Sequence, residues 1–251
     1  DEEDRQDVGK KSLHSPTPAP AVATSPLPRQ KDAGKPPRVL MAILAKQKEA
    51  VLPFYLDCIE ALDYPKSAID LYVRSNNNTD RTAEILRDWL GRVGRKYATV
   101  EFDASDVAEP VQQFGVHDWN ALRFKVLARI RQASLQRALE RGCDFYFTAG
   151  VDSFLRPPGL RKLVALDLPI AAPLLRHVDP DSRYINYHAA IDANGYYAEC
   201  EEYRWLLQRR LRGVMQMPVV HCTYLIHRDV IGKLSYSDAT PRYEYVIFSD
   251  S

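Results

Sequence analysis

Glycine is missing where nucleotide-binding folds commonly need it. No glycine lies between Gly34 and Gly91 in this chain of 251 residues. A dinucleotide-binding Rossmann unit needs glycines just after its first strand, so that backbone amides can approach a pyrophosphate, and a P-loop needs them for the same reason. Here the first apolar strand runs into "KQKEA". Both motifs are excluded, and any diphosphate has to be met by a cation instead of a glycine loop. Cysteine is also scarce. Cys58, Cys143, Cys200 and Cys222 form no CxxC pair, which argues against a structural zinc site, a redox dithiol or a disulfide framework and leaves buried free thiols. Neither charge dominates: 34 Lys and Arg face 33 Asp and Glu, a net charge of +1. That balance gives no bulk reason to expect nucleic acid or a membrane surface. No apolar run approaches the ~18 residues of a membrane-spanning helix. "VLMAILA" is short, and Asp167 interrupts "LVALDLPIAAPLL". No signal-peptide pattern opens the chain, whose first residue is Asp and not Met, as in a trimmed or processed chain.

What is present falls into two materials. Residues 1–36 combine the charged "DEEDRQDVGKK" with "SPTPAPAVATSPLPRQKDAGKPP". So little apolar surface cannot offset ordering entropy, and the segment reads as a disordered Pro/Ala/Ser-rich linker. From residue 37 onward strands and helices alternate. "RVLMAILA" (38–45), "AIDLYVRS" (68–75), "YATVEFD" (97–103) and residues 144–149 read as strands. Residues 49–64 and 81–93 show helical spacing, the second with Asp80 as N-cap, and a long helix beyond "GVHDW" closes at Gly142. This order predicts an α/β fold with a mostly parallel sheet covered on both faces. The second half is less regular, with short strands near 169–174, 184–191 and 218–227 and a helix over 199–212.

Open α/β sheets bind ligands beyond the carboxyl ends of their strands. Those ends carry Lys46, the run Asn76-Asn77-Asn78 with Asp80, and Asp152 at the end of "FYFTAGVDSFL". An aspartate at a strand end is commonly a turn residue. It also suffices for a divalent cation when substrate phosphates complete the shell. The Asn run offers amides suited to a base or ribose, and equally a turn. "YINYHAAI" places Asn186 and His188 among aromatics, a mix that suits a sugar or a half-buried strand. His221 in "PVVHCTYLI" is open to three roles: base, ligand or core histidine. Glu244 stands beside apolar residues at a helix start, where burial raises a carboxyl pKa.

The segments "AILAKQKEAVLPFYLDCIEALDYPKSAIDLYV", "NNNTDRTAEILRDWL", "RFKVLARIRQASLQRAL", "DFYFTAGVDSFL", "YINYHAAI" and "MPVVHCTYLI", taken together, resemble the amino-terminal domain of the glycosyltransferase family 25 group, the procollagen galactosyltransferases and the cerebral endothelial cell adhesion molecule. The resemblance covers residues 38–251 and is most specific in "LDYPKS", "RTAEILRDWL" and "MPVVHCTYLI". It implies a GT-A fold, with a nucleotide half over 37–155 and an acceptor half over 156–251, the latter continuing past Ser251 in the family. It implies metal-assisted, inverting transfer of galactose or a similar sugar from a UDP-sugar, with Mn²⁺ or Mg²⁺, to a glycan or protein acceptor. By position it places Lys46, Asn76, Asn77, Asn78 and Asp152 at the nucleotide and Asp152 at the metal. It also places Asn186, His188 and Thr223 at donor or acceptor, and Glu244 as the base. Several positions depart from the family pattern. Gly150 replaces the first aspartate of the Asp-x-Asp metal motif, Asn76 an acidic residue, His188 a tryptophan and Tyr243 the first acid of a pair.

Two further readings stand beside the active transferase: a degenerate member that binds a sugar, nucleotide or protein without turnover, and an unrelated α/β enzyme such as a phosphatase or oxidoreductase. The sequon Asn77-Asn78-Thr79 falls in the expected nucleotide site, where a glycan would block the cleft. This favours a cytoplasmic setting over the secretory-pathway lumen, or a sequon that is not used.

Overall fold

The computed structural model describes residues 34–115, 118–179, 181–182 and 185–251. All but the last three residues of the expected linker lie outside that range. The main sheet has six strands in the order β3-β2-β1-β4-β8-β5. β1 (Val39–Ala45), β2 (Ile69–Ser75), β3 (Thr99–Asp103) and β4 (Phe145–Ala149) run parallel, and β8 (Thr223–His227) is antiparallel to both β4 and β5 (Ile170–Ala171).

Alternation along the strands builds the two cores. Val39, Met41 and Ile43 join a cluster with Leu52, Tyr55, Leu56 and Ile59 of α1 (Leu52–Glu60) and Leu86, Trp89 and Val93 of α2 (Thr82–Val93). Leu40 and Ala42 face the other way. They pack with Ala128, Leu135 and Ala138 of α3 (Ala121–Glu140), with Tyr224 of β8 and with Phe248 near the C-terminus. A sheet buried on both faces reads as a continuous apolar run, which is why "VLMAILA" has no polar alternation. Each fully buried aliphatic side chain in it contributes roughly 1.5–3 kcal/mol. α4 (Gly159–Leu166) covers the first cluster through Leu160 and Leu163.

The expected elements are present with shorter bounds in places. α1 starts at Leu52 and not at residue 49, because Gln47 adopts a left-handed φ of 53° and turns the chain first. It ends at Glu60, where the Lys66 ammonium donates to the carbonyls of Ile59 (3.3 Å) and Leu62 (2.8 Å). Asp80 is not the N-cap of α2. Its carboxylate accepts the amides of Thr82 and of Glu49 (3.0 Å each), tying the loop after β2 to the loop after β1. The strand expected over 218–227 splits at Cys222, whose φ of 65° breaks the pairing. Val219–Val220 forms β7 and pairs with β6 (Tyr187–His188) in a small second sheet, while Thr223–His227 joins the main one. The helix over 199–212 contracts to α5 (Glu201–Leu207), with Arg209 left-handed beyond it. Two helices complete the fold: α6 (Arg228–Ile231) and α7 (Glu244–Asp250).

Candidate active site at the carboxyl ends of the strands

The loops after β1 and β2 are knitted together by side chains. The Ser75 hydroxyl donates to the Ala45 carbonyl (2.8 Å) and accepts from the Asn78 amide (2.7 Å). The Asn78 carbonyl oxygen takes the Gln47 N–H (2.9 Å), and the Gln47 side chain holds both the hydroxyl and the N–H of Thr79. Asn77, at φ 44°, donates to the Val107 carbonyl and to Gln112, while its own N–H binds Asp106. Asn76 donates to Asn77. All three asparagines therefore sit at the end of β2, with the Asn77 and Asn78 side chains turned to neighbouring loops. The sequon nitrogen of Asn77 points inward on a residue only 8% exposed. Lys46 is half-buried beside this framework. Burial, aided by the nearby Arg123 and opposed by Asp80, holds its ammonium below the usual lysine pKa.

Gly150 and Asp152 share a tight turn, closed by Ser153 N–H donating to the Gly150 carbonyl at 2.7 Å. Asp152 is thus a turn residue, and its carboxylate is also 62% exposed with Oδ2 on the Lys48 ammonium at 2.9 Å. The Gly150 N–H donates to the Cys222 carbonyl (2.8 Å), which fixes this turn against the kink between β7 and β8.

Cys222 also lines a cavity of about 520 Å³ between the long helix α3, the small sheet and α7. Glu244, the first residue of α7, is its carboxylate. It is 3% exposed, and Oε1 lies 3.2 Å from Arg131 of α3. Burial raises its pKa above the ordinary value, against the opposing pull of Arg131 and the amides at the helix start. Two imidazoles stand in the same cavity with ring centroids 5.8 Å apart, His188 from β6 and His221 after β7. Burial lowers both, His221 to about 4 with help from His188 and Arg131, so both are neutral at pH 7. Among the described residues, His188 Nδ1 and Glu244 Oε2 are buried polar atoms without a hydrogen-bond partner. One rim of the cavity is aromatic: Trp119 stacks on Phe124 (5.3 Å) and Phe124 on Tyr243 (4.0 Å). The Arg123 guanidinium lies 4.5 Å from the Trp119 ring centroid.

Two expected residues stand behind the cavity wall. Asn186 is fully buried, with its amide bonding the Leu175 N–H and the Pro173 carbonyl (2.9 Å each). Thr223 is also fully buried, opposite Ala149 in the β4–β8 ladder. Glu244 and His188 meet in the cavity, while Lys46, the asparagines and Asp152 gather at the strand ends. The Gly150–Cys222 bond joins the two regions.

Residues 36–250 match the family model described as glycosyltransferase family 25, N-terminal domain. The chain belongs to glycosyltransferase family 25. It is 34% identical over 214 residues to mouse inactive glycosyltransferase 25 family member 3, covering 83% of this chain and 36% of that protein. It is likewise 34% identical over 204 residues to human procollagen galactosyltransferase 2, covering 80% of this chain and 32% of that one. This family 25 chain thus spans about a third of the length of these relatives. In fold it is similar to Staphylococcus aureus TarS residues 1–349, with a TM-score of 0.53 at 12% identity over 84% of this chain and 54% of that one. The TarS complex with UDP-GlcNAc gives a TM-score of 0.52 at 12% identity, over 84% of this chain and 52% of that one. The fold is GT-A, as the family resemblance implies, and its mostly parallel sheet is the one the alternation of elements predicts.

A divalent metal does not fit the donor set that this family 25 domain presents without a bound diphosphate. Asp152 is the one carboxylate at the turn, one of its oxygens is already on an ammonium, and Gly150 supplies nothing. No group of three His, Cys, Asp or Glu among the described residues could hold a metal. Sequence reasoning missed Lys48, Arg131 and the ring stack. Arg131 carries a legible signal, since Ala128, Arg131, Leu135 and Ala138 fall on one helical stripe and place a charge on a core face.

Proposed function

We propose that this family 25 domain transfers a hexose from a UDP-sugar to an acceptor hydroxyl with inversion. Glu244 carries the reading: among the described residues it is the one acidic side chain lining the aromatic cavity. As the acceptor oxygen bonds to the anomeric carbon, its proton passes to the Glu244 carboxylate. The bond to the diphosphate breaks, and UDP leaves with the electron pair. A buried carboxyl of raised pKa suits that proton transfer near neutral pH. Arg131 holds Glu244 ionised and in place, and the neutral His188 and His221 imidazoles accept hydrogen bonds from sugar hydroxyls. The exposed rings of Trp119 and Tyr243 offer apolar faces for a sugar to stack on. The name of the human relative supports galactose as the sugar and a protein as the acceptor. Mn²⁺ or Mg²⁺ at Asp152 is implied by the family resemblance and not supported by the donor set, so no step is routed through it.

A second reading, a binding module without turnover, is favoured by Gly150 in the metal-motif position and by the mouse relative named inactive. Mass spectrometry of acceptors after incubation with UDP-galactose, UDP-glucose or UDP-N-acetylglucosamine separates the two. A hexose added to one acceptor from a panel of procollagen peptides and oligosaccharides supports transfer. A UDP-sugar that binds and is never consumed supports the module.

A further inference from the structure

We propose that the Lys48 ammonium is the built-in counterion for the donor diphosphate, so that nucleotide binding by this domain needs no divalent metal. The inference rests on reading the strand ends as a nucleotide-diphosphate-sugar site.

The position that a metal on Asp152 would occupy holds a lysine: Nζ sits 2.9 Å from Oδ2. That lysine is placed by the loop framework. The Lys48 N–H donates to the Thr82 hydroxyl (2.7 Å), and the flanking Gln47 and Glu49 amides are held by Asn78 and Asp80. Its side chain is 29% exposed against 62% for Asp152, so the aspartate is the more solvated member of the pair, and water can satisfy it when a phosphate displaces it.

Charge supports the same assignment. A GT-A site must neutralise a diphosphate, and this chain has no glycine loop to do it. Gly150 removes one anion from the turn, leaving a single carboxylate that one ammonium balances. Lys46, in the same loop after β1, adds a second cation at the strand ends. In the free protein Asp152 occupies Lys48, and on donor binding a phosphate oxygen takes its place. Asp152 is then a displaceable counterion and not a ligand that binding requires.

Isothermal titration of UDP and of uridine, in EDTA and in excess Mn²⁺, tests this on the full chain. The wild type is expected to bind UDP in EDTA within about threefold of its affinity in Mn²⁺. Lys48→Gln should weaken UDP by about tenfold or more and leave uridine within about twofold. Lys48→Arg should recover most of that loss, and Asp152→Ala should bind UDP more tightly than the wild type. Circular dichroism checks that each variant is folded. UDP binding that vanishes in EDTA, returns with Mn²⁺ and is abolished by Asp152→Ala would overturn the inference while leaving the nucleotide-sugar reading intact. A wild type that binds neither UDP nor uridine in either condition would refute both.

Discussion

Replacing Arg131 with methionine isolates the electrostatics of Glu244. The carboxylate is 3% exposed and Arg131 is its ion-pair partner. Without that cation it remains buried among aromatic rings, and the outcome depends on pH. Burial has already raised its folded pKa above the ordinary 4.5, and losing Arg131 raises it further. The sign follows from linkage. A carboxyl whose folded pKa exceeds its unfolded one contributes fully to stability below the unfolded value, and that stability is lost as pH rises toward the folded pKa. The penalty saturates once the group stays protonated in the folded state. At pH 7, 2.5 units above the ordinary 4.5, it is therefore at most about 3.4 kcal/mol, at 1.36 kcal/mol per unit. At pH 5, where the unfolded carboxyl is still partly protonated, the same limit is about 0.8 kcal/mol. Urea denaturation of wild type and Arg131→Met at both pH values reads the difference. The deficit of the variant should shrink by at least half between pH 7 and pH 5. An equal deficit at the two pH values would refute the placement of Glu244 as a buried carboxylate held ionised by Arg131.

Other perturbations probe the surrounding architecture. Gly195→Ala should lower stability by about 2–4 kcal/mol, read as a shift in the urea midpoint, because φ is +86° and an added Cβ would lie 2.6 Å from Val246 of α7. Trp119→Ala removes a ring that is 51% exposed, so the melting temperature should barely move while the acceptor KM rises roughly fivefold. Gly150→Asp should fold, since its Cβ would meet the mobile ends of Asp152 (3.1 Å) and Ser153 (3.3 Å) at an ordinary φ. It should bind Mn²⁺ measurably more tightly than the wild type by calorimetry, and failure to gain metal affinity would show that the turn does not face the expected metal position.

The parallel half of the fold is legible because its strands are buried on both faces and its helices carry complete apolar stripes, so local pattern and tertiary environment agree. Val39–Ala45 and the stripe Leu86, Trp89, Val93 are such cases. The antiparallel half is less legible. Tyr187–His188 and Val219–Val220 are two-residue strands whose pairing is decided across the chain, and Cys222 takes a left-handed backbone that a non-glycine sequence does not advertise. At the site, Glu244 and His188 are readable as polar residues amid apolar ones. Their shared cavity is not, because it forms only where α3 and α7 pack together. The roles of Asn77 and Asn78 as ties between loops depend on Asp106 and Gln47, which pair with them across sequence separations no local pattern encodes. Lys48 looks like one more surface lysine until the fold brings it to Asp152.

Turnover and donor binding measured side by side for wild type and Glu244→Gln test the assignment of the base most directly. The substitution keeps size and hydrogen-bonding capacity and removes the proton acceptor. Hexose transfer should fall by about 10²–10⁴-fold, the usual contribution of a positioned general base, while UDP-sugar affinity stays within a few fold. Transfer at the wild-type rate in Glu244→Gln would contradict the assignment and move the chemistry away from this cavity.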